Sequence, residues 1–122
     1  MFITHLYLRL SVNRVLLRNV DTGRSVERVP DSPFSHPRML VGDFTSAQAV
    51  VKAAVTDVRG AGFARWIRLL IHPTQCIDGG LSQVEDRVLR ELAGGAGAGK
   101  VFVWLGGDLS DDEVRAKLRD AA

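Results

Sequence analysis

The run from Gly94 to Lys100 contains residue types that could bind a phosphate group. It reads Gly-Gly-Ala-Gly-Ala-Gly-Lys and fits the G-x-x-x-x-G-K pattern of a P-loop. A working P-loop follows a strand and begins a helix, so that backbone amides and the helix dipole face the phosphates. Here the run follows a predicted helix and precedes a predicted strand, and the next residue, Val101, has no hydroxyl for magnesium. We therefore interpret it as a helix C-terminus and a flexible turn.

Cys76 and His72 are four residues apart and could form a nucleophile and its base. Cys76 is the single cysteine, so the chain cannot form an internal disulfide or a cysteine-based metal site. A small loop or core cysteine is the favoured interpretation. His72 is expected at the C-terminal end of a central strand, where α/β proteins place many binding sites. Pro73 by itself also explains why that strand would end there.

The histidines and carboxylates do not form a recognisable metal or catalytic site. His5, His36 and His72 are far apart in the sequence and have no ligand partner at helical spacing. Glu85 is explained by helix capping, and Asp86 by its favourable place at a helix N-terminus. No catalytic residue, metal ligand or cofactor site is predicted.

Five arginines concentrate positive charge in the first part of the chain. The net charge is only +2, and no aromatic residues alternate with these arginines, so nucleic-acid binding is not predicted. They fall on predicted hairpins, where they form either a solvated sheet edge or one basic face for protein contact. The five are Arg9, Arg14, Arg18, Arg24 and Arg28.

The sequence predicts neither a membrane segment nor a secretion signal. No apolar run approaches the roughly 20 residues that cross a bilayer, and the first residues lack the basic region of a signal peptide. We therefore expect a cytoplasmic protein. Membrane contact is not expected, because Met1–Ile3 is too short for an amphipathic helix. Four aromatic residues are expected near the surface or a connector: Phe2, Phe34, Phe63 and Trp66.

Three strands are predicted at the start of the chain. Apolar residues alternate with polar ones from Leu6 to Val12, which is the period of a strand with one buried face. Turn-forming residues then separate two further strands. The three strands form a meander that ends at a connector over residues 30–43. The second and third strands are predicted at Val15–Val20 and Arg24–Val29.

Three helices and two strands are predicted in the rest of the chain. An apolar stripe from Ala47 to Val58 predicts a helix capped by Thr45 or Ser46. Serine followed three residues later by glutamate predicts two more helix starts, at Ser82 and Ser110. Short apolar runs, at residues 66–71 and Val101–Leu105, are typical of buried strands. The helix after Ser82 is expected to bury Val84, Val88, Leu89 and Leu92.

The predicted order of elements is β-β-β-α-β-α-β-α, in a single domain of residues 1–122. A chain of this length can bury a real core. A meander followed by right-handed crossover units gives an α/β fold, in which helices pack on a five-stranded mixed sheet.

Four segments between Val41 and Leu105 resemble, in order and spacing, the MreB family of bacterial actin-like proteins. The family has a GVIADF-like helix start, a strand ending in Val-Pro, a T-x-V-E-R-R-A helix start and an Ala-Gly-Ala run before a strand. The matching segments here are Val41–Phe44, Ile71–Pro73, Gly80–Arg87 and Ala96–Val103. The resemblance covers about half of the chain and implies one large subdomain of an actin-like protein. Such a subdomain has a ribonuclease-H-like fold, which agrees with the predicted order of elements.

At the positions where MreB proteins handle nucleotide, this chain has different residues. The family's first phosphate loop carries a D-x-G-T-like run, whose carboxylate serves the metal shell; the corresponding positions here are Arg9, Ser11 and Val12. The family's Glu-Pro pair corresponds to Leu105–Asp108, which has no carboxylate at the expected position. Residues 30–43 stand where the family inserts a small subdomain. The resemblance therefore implies that the ATPase motifs have been lost.

We expect a non-enzymatic, actin-like cytoskeletal or cell-shape protein that binds no cofactor and acts through protein contacts. The expected partner is a full-length MreB-type filament, and a binding module with an unrelated partner is the alternative. An enzyme that uses Cys76 or His72 is a third hypothesis. Homodimer formation is left open, because a lone half of an actin-like fold exposes surface where its neighbours would pack.

Overall fold

The computed structural model describes residues 2–60 and 65–120. These residues form five strands and three helices in the predicted order. The elements are β1 (Phe2–Ser11), β2 (Arg14–Asn19), β3 (Ser25–Arg28), α1 (Phe44–Val58), β4 (Arg65–Pro73), α2 (Gln83–Gly95), β5 (Ala98–Val103) and α3 (Asp111–Asp120). No helix in these two ranges is long and apolar enough to cross a membrane.

The five strands form one mixed sheet in the order β3-β2-β1-β4-β5. β1, β2 and β3 are antiparallel neighbours, whereas β4 lies parallel to β1 on its other side, and β5 lies parallel to β4. Each parallel strand is reached through a helix, α1 before β4 and α2 before β5, as a crossover connection requires. The predicted α/β class and five-stranded mixed sheet are confirmed.

Helices cover both faces of the sheet. Because side chains alternate along a strand, Leu8 and Leu10 of β1 point to one face, where buried residues of α1 and α2 pack on them. Tyr7 points to the other face and packs in a smaller core with Val114 and Leu118 of α3. We call these the α1 face and the α3 face of the sheet.

The start of α1 differs from the prediction. The helix begins at Phe44, and its cap is Asp43, whose carboxylate accepts a hydrogen bond from the N–H of Ser46 at 3.0 Å. The predicted caps, Thr45 and Ser46, lie inside the first turn, and the hydroxyl of Ser46 donates to the carbonyl of Ser32. The two predicted capping boxes, in contrast, are confirmed: Ser82 with Glu85, and Ser110 with Glu113.

For one residue of α2, the predicted burial is wrong. Val84 is 72% exposed, because it lies in the first turn of the helix, whereas Leu89 and Leu92 are buried farther along the same helix. Val88 is half-buried. The buried side of α2 therefore begins later than the apolar pattern predicts.

The aromatic residues divide between core and surface. Trp66 is exposed as expected, and Phe34 lies on the connector as expected, although its side chain is completely buried. It enters the α1-face core from residues 30–43, which fold over the end of the β1–β2 hairpin. Phe63 and the side chain of Phe2 lie outside the described residues.

Candidate functional site

Three parallel strands end at one edge of the sheet, the edge where open α/β sheets bind ligands. β1 ends at Ser11, β4 at Pro73 and β5 at Val103. The β1–β2 turn at residues 12–13 and the segments that follow β4 and β5 meet here. We call this the carboxyl edge, and it contains the positions that the sequence resemblance aligns with both nucleotide motifs of the MreB family.

The backbone amides of the β1–β2 turn are already hydrogen-bonded. The N–H of Val12 donates to the side-chain carbonyl of Gln75 at 2.8 Å, and the N–H of Asn13 donates to the hydroxyl of Ser35 at 3.0 Å. A phosphate-binding loop holds its ligand with such amides. Two of the donors that could face a phosphate are therefore occupied by side chains of the same chain.

Asn13 also connects this turn to residues 30–43. It adopts a left-handed backbone conformation, with φ of 48°, which asparagine tolerates better than most residues. Its side-chain oxygen accepts hydrogen bonds from the N–H groups of Phe34 and Ser35, both at 2.8 Å. This contact positions Phe34 over the core. Sequence reasoning identified the turn but missed the contact.

Arg9 places a cation at the position that the sequence resemblance aligns with the metal-binding carboxylate of the MreB family. Its guanidinium lies 4.9 Å from the centre of the Tyr7 ring and 3.9 Å from the Asp108 carboxylate. Ser11 is the last residue of β1 and pairs with Arg14 across the hairpin. This cationic position would repel a divalent metal ion.

The segment that the sequence resemblance aligns with the family's Glu-Pro pair is folded onto the α3 face. The indole N–H of Trp104 donates to the carbonyl of Gly107 at 2.8 Å. The carbonyl of Gly106 accepts from Nε2 of His72, also at 2.8 Å. We call residues 104–110 the β5–α3 loop.

His72 lies on β4 below this loop and is part of a buried chain of hydrogen bonds. Because the Gly106 carbonyl can only accept, Nε2 carries the proton and Nδ1 accepts from the Tyr7 hydroxyl at 2.7 Å. The Tyr7 oxygen in turn accepts from the N–H of Leu109 at 3.3 Å. Burial lowers the pKa of His72, while the Gly106 carbonyl and Asp108 act in the opposite direction.

Cys76 lies apart from this chain. It is exposed, has φ of 59°, and lines an apolar groove of about 50 Å³ with Met39 and Val84. In the described part of the chain it makes no hydrogen bond with His72, whose two ring nitrogens bond to Tyr7 and Gly106. The structure therefore does not bring Cys76 and His72 together as a catalytic pair.

The five arginines do not form one basic face, so this expectation is wrong. Cross-strand neighbours share a face, and the sheet register places Arg9, Arg14 and Arg18 on the α3 face. Arg28 pairs with Val15 of the core and lies on the α1 face. Most of the charge is also compensated by ion pairs. These pairs are Arg14–Glu27 at 2.8 Å, Arg18–Asp111 at 2.8 Å and Arg28–Asp57 at 2.6 Å.

The glycine-rich run has the geometry of a helix C-terminus. α2 extends to Gly95, Gly97 has φ of 108°, and β5 already begins at Ala98. Lys100 lies within β5, opposite Arg68, and does not begin a helix. β5 thus starts and ends earlier than predicted, because Ala98 pairs with β4 and a bulge restores the register.

Within residues 2–60 and 65–120, no three or more His, Cys, Asp or Glu side chains are grouped to hold a metal ion.

Comparison with known proteins supports the fold. No protein-family model matches the chain. It is 29% identical over 97 residues to the uncharacterized protein YjaA of Escherichia coli (strain K12), which corresponds to 75% of each chain. Its fold is similar to that of MreB5 of Spiroplasma citri in a crystal structure with bound ADP, with a TM-score of 0.56 and 14% identity. The match covers 84% of this chain but only 38% of MreB5, and it indicates an actin-like fold.

Proposed function

We propose that this chain is a non-catalytic, actin-like domain that acts through protein contacts, as an accessory of a bacterial actin-like cytoskeleton. The occupied carboxyl edge is the observation that carries the proposal. The N–H groups of Val12 and Asn13 donate to side chains, and Arg9 stands in place of a metal-binding carboxylate. An edge of this kind suits packing within the protein better than nucleotide binding.

The proposal includes a ribonuclease-H-like subdomain related to the MreB family. The sheet order β3-β2-β1-β4-β5, with an antiparallel hairpin side and a parallel side, supports it. The segments that resemble the family also lie at matching element boundaries. Val41–Phe44 leads into α1, Ile71–Pro73 ends β4, Gly80–Arg87 leads into α2, and Ala96–Val103 leads into β5 and contains it.

A full-length MreB-type filament is the partner we propose. The resemblance compares this chain with one large subdomain of a filament-forming protein, and the structural match covers 38% of MreB5. A domain comparable with one part of a filament subunit presents surface of the kind that packs against the other parts. Contact with such a protein would use that surface without requiring nucleotide in this chain.

Co-sedimentation tests this partner directly. The purified chain is centrifuged with the MreB-type protein of the same organism, with ATP and without it. We expect the chain to pellet only under conditions in which filaments form. Recovery in the supernatant under both conditions would contradict the filament proposal. The fold similarity would then reflect common ancestry without a shared partner.

Two arginines provide matched variants for mapping the contact face. Arg14 and Arg28 each pair with one carboxylate but lie on opposite faces of the sheet. If the partner binds the α3 face of the hairpins, Arg14→Glu reduces the pelleted fraction and Arg28→Glu leaves it unchanged. Equal behaviour of the two variants would contradict a contact through Arg9, Arg14 and Arg18. Circular dichroism of both variants controls for loss of fold.

A stand-alone binding module with an unrelated partner is the second candidate function. The arginine-rich hairpins favour it, because Arg14 and Arg24 are exposed and can contact a partner of any fold. A purified partner that binds the chain directly and is unrelated to actin-like proteins, together with no binding to filaments, would support this alternative.

A further inference from the structure

We propose that Tyr7, His72 and the carbonyl of Gly106 form a pH-sensitive latch, which holds the β5–α3 loop on the sheet while His72 is neutral. Tyr7 and His72 are 2% and 3% exposed, and their rings are stacked with centres 5.8 Å apart. β1 and β4 supply these two side chains, whereas the third member belongs to the loop. The chain of hydrogen bonds therefore joins two central strands to a segment outside the sheet.

The latch depends on one tautomer of a neutral ring. Nε2 donates to Gly106, Nδ1 accepts from Tyr7, and the Tyr7 oxygen accepts from the N–H of Leu109. Protonation places a hydrogen on Nδ1, so the Tyr7 hydroxyl must turn away and its own hydrogen loses its acceptor. Burial of an unpaired donor and of an imidazolium charge is unfavourable. Movement of the loop relieves both by admitting water.

Burial favours the neutral form of His72 in the closed state, and the charged groups around the ring act on it in both directions. Arg9 of β1 disfavours a second positive charge, whereas Asp108 of the loop favours it. Asp108 is largely exposed and lies 3.9 Å from Arg9, so solvent and Arg9 weaken its effect. From α3, the ammonium of Lys117 lies 3.9 Å from the centre of the Trp104 ring, at the start of the loop.

Release of the latch would uncover the smaller core. Trp104 and Leu109, at the two ends of the loop, pack against Val114 and Leu118 of α3. A loop that moves to admit water to the protonated ring no longer covers these apolar groups. We infer that mild acidification changes the surface that the α3 face offers to a partner.

Nuclear magnetic resonance of the ¹⁵N-labelled whole chain tests the latch. The pH is lowered from about 7.5 to 4.5, the range in which histidine titrates, and the His72 ring nitrogens are followed. The Trp104 indole N–H reports loop closure, because it donates to the carbonyl of Gly107. We expect this signal and the Leu109 amide to shift with the same midpoint as His72, below the roughly 6.5 of a free imidazole.

Two variants separate the latch from other titrations. His72→Gln keeps a donor for Gly106 and cannot titrate, so the loop signals are expected to lose their transition. His36→Gln, on the connector, is the matched control and should retain it. A persistent transition in His72→Gln would overturn the proposal. So would loop signals that stay fixed while His72 titrates, or a His72 that stays neutral over the whole range. If His72→Gln fails to fold, the proposal is tested by the unaltered chain alone, in which the loop signals must shift with the midpoint of His72.

Discussion

At the scale of single residues, Asn13 determines how residues 30–43 lie over the hairpin. Its side-chain oxygen accepts two backbone hydrogen bonds, from Phe34 and Ser35. We expect Asn13→Ala to lower the free energy of unfolding by about 1–3 kcal/mol, the usual effect of leaving buried donors without an acceptor. Asn13→Gly should lose less, because glycine adopts the φ of 48° without strain. Urea denaturation measures both, and an Asn13→Ala variant as stable as the parent would contradict this role.

His72 gives the folded protein a specific dependence on pH. Burial lowers its pKa in the folded state, so the unfolded chain binds a proton first as the pH falls. The stabilisation from the neutral ring is therefore complete above about 6.5 and is lost as the pH falls through the lowered folded-state value. We expect the free energy of unfolding to decrease in this window, and His72→Gln to remove that part of the decrease. Urea titrations at several pH values measure it, and an unchanged slope in the variant would refute the assignment.

The residues of the carboxyl edge could be identified from the sequence, but their contacts could not. The motif positions Arg9, Ser11 and Val12 follow from the resemblance, since they replace known residue types at known places. The bonds that occupy the turn join residues 22 and 63 positions apart, Asn13 with Ser35 and Val12 with Gln75. No local pattern encodes contacts over such distances. They follow from the sheet order, which places the end of β4 beside the β1–β2 turn.

At the scale of elements, Asp43 is the cap that sets the start of α1. We expect Asp43→Ala to destabilise the protein by about 1 kcal/mol, because its carboxylate accepts the N–H of Ser46. Thr45→Ala is the matched control. Thr45 is exposed inside the first turn, so alanine should leave stability unchanged or raise it slightly. Thermal unfolding compares the two variants, and a greater loss for Thr45→Ala would mean that the cap lies where the sequence pattern predicted it.

Element types were predictable because their signals are local, whereas several boundaries were not. The serine–glutamate spacing that identified the caps of α2 and α3 involves only residues within one turn. The start of α1 offered three adjacent capping residue types, Asp43, Thr45 and Ser46, and only the course of residues 30–43 selects among them. The early start of β5 at Ala98 likewise depends on pairing with Ile67 of β4, which the glycine-rich sequence does not reveal.

At the scale of the whole molecule, an actin-like fold with an occupied carboxyl edge should not bind nucleotide. We expect isothermal titration calorimetry with Mg²⁺ and ADP to show no saturable binding. Arg9→Asp, which places a carboxylate at the position aligned with the family motif, should still show no nucleotide binding, because the amides of Val12 and Asn13 still donate to Gln75 and Ser35. Adding Gln75→Ala and Ser35→Ala frees those amides and tests whether their occupation matters. Saturable binding by the unaltered chain, at a Kd of about 1 μM, would show that the occupied carboxyl edge does not prevent nucleotide binding. It would also contradict the non-catalytic function proposed for this domain.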